Sequence, residues 1–127
     1  MRVRIVGRLT VSLAGILGVM PAALTSEPAM PLPSGTYAFQ HRFAEHRDLP
    51  SIRLEAWIED GRIRLTNHDR NDVFPRGLIA EGMIVWHAAS RQWIIAAQPE
   101  DATAIDVGGC SDGPEVVDLQ RKIYWTC

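Results

Sequence analysis

The feature that most constrains this chain is a run of strict apolar–polar alternation interrupted only by Asp60-Gly61. Asp-Gly between two alternating segments predicts a two-residue type I′ hairpin, because both central residues of that turn need positive φ. Such a loop sets Glu59 opposite Arg62, Ile58 opposite Ile63, Trp57 opposite Arg64 and Ala56 opposite Leu65. One face then carries Ile52, Leu54, Ala56, Ile58, Ile63 and Leu65; the other carries Arg53, Glu55, Trp57, Glu59, Arg62, Arg64 and Thr66. A three-residue loop would slide the register by one and mix the faces, so the pattern selects the shorter loop. Residues 51–58 and 62–68 thus predict a sheet with one buried and one wet face.

The remaining sequence continues in short strands. They are predicted over 35–43, 78–80, 83–87, 93–97 and 104–107, with Glu81-Gly82 as a turn. Residues 115–127 alternate throughout, as one long strand or as two that meet at Arg121-Lys122. In that run Val117, Leu119, Ile123, Trp125 and Cys127 share one face, interrupted by Arg121. Trp86, Trp93 and Trp125 fall in apolar runs and read as core. Seven or eight strands spaced by turn residues predict an all-β fold, a small antiparallel meander closed as a barrel or sandwich.

Residues 1–26 have the three parts of a Sec-type secretory signal. Arg2, Arg4 and Arg8 precede an apolar run over 9–20, and Pro21 with the small residues Ala22, Ala23, Thr25 and Ser26 offers cleavage positions. The run is shorter than the roughly 20 apolar residues that cross a bilayer. It therefore reads as a signal helix cleaved between about Ala22 and Ser26, leaving no stable membrane anchor. A Pro-rich extended leader (27–34) and a single β domain (35–127) remain. Ten basic residues then face fifteen acidic ones, a charge of about −5. That balance points away from nucleic acid and anionic membrane as partners, since both require clustered positive charge. A periplasmic or secreted location also makes an isolated cysteine pair bond, so Cys110 and Cys127 are expected as a disulfide.

No residue set is assigned a catalytic, cofactor-binding or metal-binding role. Gly109-Cys110-Ser111-Asp112-Gly113 has the spacing of a nucleophile elbow, but no histidine follows it and its flanks read as strands, so it reads as a turn holding the disulfide. His41 and Glu45-His46 carry one residue too many for an inverted zinc-protease motif, and the four histidines read as solvent-facing residues near strand ends. Asp69-Arg70-Asn71-Asp72 lacks the glycine and closing glutamate of a calcium loop and reads as a polar turn. The wet hairpin face is the most informative surface, because tryptophan and arginine anchor interfaces more than other residues do. Trp57, Arg64, Glu55, Arg62 and Arg53 are accordingly the expected partner-binding face. The expected function is a non-catalytic binding or inhibitor-type module whose partner is another exported or envelope protein. The alternatives are a lipocalin-like carrier of a small apolar ligand and, third, a metal-assisted hydrolase using His41, His46, His68 and His87.

Overall fold

The computed structural model describes residues 27–127 and, before them, only residues 12, 14, 15 and 18. The signal segment and its helix, expected over 1–26, therefore lie outside the described residues. Seven strands close into a barrel. They are β1 (Gly35–Phe43), β2 (Arg53–Glu59), β3 (Arg62–Asn67), β4 (Gly77–His87), β5 (Gln92–Ala96), β6 (Glu115–Asp118) and β7 (Ile123–Thr126). Successive strands pair antiparallel, and β1 closes the barrel against β7 in parallel. The parallel seam follows from the count: each strand of a meander reverses the one before it, so an odd number brings first and last into the same direction. β1 serves two neighbours, pairing with β2 over residues 35–40 and with β7 over residues 40–43.

The central hairpin forms as its alternation dictates. Asp60 (φ 49°) and Gly61 (φ 74°) make the turn, and the register sets Trp57 opposite Arg64 and Ile58 opposite Ile63. Its inner face supplies Leu54, Ala56, Ile58, Ile63 and Leu65 to a core completed by Phe39, Ile84, Ile95, Val117, Leu119 and Tyr124. Each large apolar side chain fully buried there contributes about 1.5–3 kcal/mol.

Three sequence expectations are corrected. Glu81-Gly82 is no turn: β4 runs through it without a break. A Cβ on Gly82 would lie 2.5 Å from the Ala96 carbonyl oxygen and 2.9 Å from Ile95 Cγ2, so the glycine permits close approach of β5. Gly82→Ala is expected to cost about 1–3 kcal/mol by forcing the two strands apart, read as a lowered urea midpoint at unchanged m-value. A bulge accompanies this crossing, since Leu65 pairs with Ala80 but Thr66 with Leu78, leaving Ile79 unmatched.

Residues 104–107 form no strand. The chain after β5 makes a 3₁₀ turn, Pro99–Thr103, anchored by the Asp101 carboxylate accepting the N–H groups of Ala97 and Gln98. It then continues irregularly to Pro114, because Gly108 (φ 64°) and Gly109 (φ 57°) turn it away from extended geometry. This segment packs on the outside of the wall, Gly108 against Val116. Ile94 and Val116 are consequently buried on the outer side while Ile95 and Val117 are buried inside.

The run 115–127 is two strands. Between them, the Asp118 carboxylate accepts the Arg121 backbone N–H and Nε–H, both at 2.8 Å, and Lys122 takes φ 58°. The break resets the alternation, so the single apolar face expected over this run does not exist. Val117 pairs with Tyr124 and both face the core, whereas Trp125, next in β7, faces the other way. Finally, the leader lies against the barrel: Met30 and Leu32 pack half-buried on the core, and the Tyr37 hydroxyl donates to the Pro33 carbonyl at 2.6 Å. Among the described residues no helix is long and apolar enough to cross a membrane.

Candidate functional site

Two surfaces combine tryptophan with arginine. The first is the outer wall of β2 and β3. Trp57 is half-buried there with the Arg64 guanidinium 5.0 Å from its ring centroid. Arg64 also reaches Glu81 (3.5 Å), a residue of β4 that the supposed turn had hidden from the sequence reading. Glu55 faces His68 (3.4 Å) rather than Arg64, and Arg62 donates to the Met83 sulfur at 3.6 Å. Arg53 is exposed at the start of β2, opposite Gln40. These exposed contacts are each worth under about 1 kcal/mol. Arg53, Glu55 and His68 border a hollow of about 320 Å³ on this wall.

The second surface is concave. β5 pairs with β6 through only two residue pairs, Ile94–Val116 and Ile95–Glu115. The ladder stops short of Gln92 and Trp93 on one strand and of Val117 and Asp118 on the other. The barrel wall opens at this seam into a cleft of about 320 Å³, lined by Trp86, Trp93 and Trp125 and by Arg47, Arg91 and Arg121. Trp86 and Trp93 are cross-strand partners with ring centroids 5.2 Å apart, edge to face. The Arg47 guanidinium lies 5.3 Å from the Trp125 centroid. Arg121 is held at the rim by Asp118. All three tryptophans are half-buried; Trp93 packs against the core, as expected, whereas Trp86 and Trp125 do not belong to it. The sequence could not show the cleft, since its residues come from six separate stretches of chain.

No known protein family, curated protein or solved structure matches this chain.

The histidines divide into two kinds. His46 and His68 are exposed, as expected, but His41 and His87 are almost wholly buried. His41 sits edge-on to Phe43 and Phe74, with ring centroids 4.5 and 4.9 Å away. Its Nδ1 is 2.8 Å from Ser51 Oγ and its Nε2 is 2.7 Å from Thr126 Oγ1. A serine beside an imidazole is half of a nucleophilic pair, yet the third position here is a hydroxyl, which does not stabilise an imidazolium as a carboxylate does. Burial also pushes the His41 pKa down to about 4. The group therefore ties β1 and β7 to the chain entering β2. Above pH 6.5 His41 is neutral both folded and unfolded; below it, only the unfolded chain takes up the proton. Stability is expected to fall with pH between about 6.5 and 4, by about 2 kcal/mol at pH 5. His41→Gln should flatten that slope in urea titrations run at successive pH values.

His87 donates from Nε2 to the Ala104 carbonyl (2.7 Å) while Nδ1 accepts from the Ser90 hydroxyl (2.7 Å), which pins the outer segment to β4. All four ring nitrogens of the two buried histidines are thus engaged within the fold. Among the described residues, potential metal-ligating atoms converge at Glu45, Cys110 and Cys127. The two sulfurs are bonded to each other, their Cα atoms 4.6 Å apart. The Glu45 carboxylate oxygen lies 3.3 Å from the Cys110 sulfur, a contact without a proton to share. Ser111 donates its hydroxyl to the Gly108 carbonyl at 2.7 Å and so stabilises the turn beside the disulfide.

Proposed function

We propose that this protein is an exported, non-catalytic binding module that holds another exported or envelope protein through the cleft at the β5–β6 seam. The observation that carries this reading is the cleft itself: three half-buried tryptophans and three arginines around one concavity in a chain of net negative charge. Tryptophan and arginine supply most of the energy of protein interfaces where a pocket desolvates them. The barrel interior, where a carrier would keep its ligand, is filled by Phe39, Leu54, Ile58, Ile63, Leu65 and Tyr124. On the Trp57–Arg64 wall the arginine is already shared between Trp57 and Glu81. Export is supported by the signal-like residues 1–26 and by the Cys110–Cys127 bond, which persists in oxidising compartments.

Selection of displayed peptides on the folded full chain tests the proposal. Selected peptides should lose at least tenfold in affinity on the Trp93→Ala/Trp125→Ala double variant and be unaffected by Trp57→Ala. Peptides indifferent to the cleft substitutions would overturn it.

A further inference from the structure

The cleft is bordered by part of the chain itself. Pro28, Ala29 and Pro31 of the leader line it together with the tryptophans. Successive leader residues divide their roles. Met30 and Leu32 point to the barrel and pack on its core, while Pro31 and Pro33 remain exposed between them. At its far end the leader is fastened by the Tyr37 hydroxyl on the Pro33 carbonyl, 2.6 Å. Prolines at 28, 31 and 33 fix φ and bias the residues before them to extended backbone, so little conformational freedom is lost on docking. Proline pairs spaced i, i+3 are the sequence that aromatic-lined grooves accept in peptide recognition. Here Pro28-Ala29-Met30-Pro31 has that spacing and lies at such a groove.

We infer that the leader is a displaceable wall of the cleft, and that the cleft takes extended proline-containing segments with an acidic neighbour. The acidic preference follows from Arg47 and Arg91 at the opening, Arg121 being paired with Asp118, and from Glu27, which directly precedes Pro28 in the resident segment. The leader adjoins β1 with almost no linker, so its local concentration at the cleft is of the order of millimolar or above. A partner segment must compete with it, and weak segments are refused. This inference rests on the cleft being the binding surface, as proposed above, and assigns the kind of segment it binds and what guards it.

The test uses the full chain and a labelled synthetic peptide copying residues 27–34. Met30→Ser/Leu32→Ser unseats the leader, and Tyr37→Phe loosens it by removing one hydrogen bond while leaving the apolar contacts. The Met30/Leu32 variant should bind the peptide at least tenfold more tightly than the unaltered chain, and Tyr37→Phe a few-fold more tightly. Tryptophan emission should shift to the red in the first variant and return when peptide is added. Equal peptide affinity within twofold across all three proteins, or unchanged emission in the Met30/Leu32 variant, overturns the inference. The two readings fail separately. Foreign peptides that bind the cleft equally well with the leader seated or unseated would leave the binding function standing and remove the guard. Recovery of the leader peptide alone, with no foreign binder even to the unseated variant, would do the reverse.

Discussion

Asn67→Ala is expected to cost about 3 kcal/mol of folding free energy. Asn67 is fully buried at the end of β3. Its side-chain nitrogen donates to the carbonyls of Phe74 (3.0 Å) and Pro75 (3.2 Å). Its oxygen accepts from the Asp69 backbone and the Asn71 amide, both at 3.2 Å. Asn71 in turn accepts the N–H groups of Val73 and Phe74. The loop between β3 and β4 is thus folded around two asparagine side chains, where the sequence showed only a polar turn. Each buried polar group stranded by truncation costs about 1–3 kcal/mol, and partial access of water to the loop brings the sum to about 3. Asn67→Asp separates the two halves of the interaction: the carboxylate still accepts but cannot donate to Phe74 and Pro75. Urea unfolding of both variants is the measurement. A loss below about 1 kcal/mol for alanine would mean that the loop is hydrated in the folded state.

Removing the disulfide, as Cys110→Ser/Cys127→Ser, is expected to cost a similar amount. The bond spans 17 residues, and closing a loop of that size restricts the unfolded chain by about 3 kcal/mol. The folded-state consequence is local. Cys127 follows Thr126, whose hydroxyl meets His41, and Cys110 lies in the outer segment that covers Val116. Amide exchange should therefore accelerate at residues 124–126 and 108–114 and stay unchanged in the β2–β3 hairpin. Reductant that leaves the melting temperature unmoved would contradict this account, as would an oxidised mass equal to the reduced one.

What could be read from the sequence was what is local. The hairpin over residues 51–68 was legible to the register, because its turn chemistry and its alternation agree within eighteen residues. The all-β class followed from repeated short alternating runs, which left barrel and sandwich both open until the β1–β7 seam decided for the barrel. Gly82 was misread because glycine signals both a turn and a close approach, and only the position of Ala96 distinguishes them. The last two strands were half-legible: an unplaced turn leaves the parity of everything after it undefined, which exchanged Tyr124 for Trp125 as a core residue. His41 could not be recognised as buried, since Thr126, which satisfies its Nε2, is 85 residues away. The cleft fails the same test more completely. Its arginines come from a loop and two turns, and its tryptophans have the same apolar neighbours as core residues.

The parallel seam between β1 and β7 governs how this barrel can be completed. Every other ladder joins neighbours in sequence and can form as soon as both strands exist. The last one joins Gln40 to Ile123 and must close a loop of nearly the whole domain, the slow kind of contact in folding. Until residues 123–126 dock, the folding chain is therefore an open sheet, with residues 40–43 of its first strand bare on one side. A frameshift or early stop before residue 123 would leave that edge exposed permanently, ready to pair with another chain. The four residues of β7 thus decide whether the edge of the first strand is paired or bare.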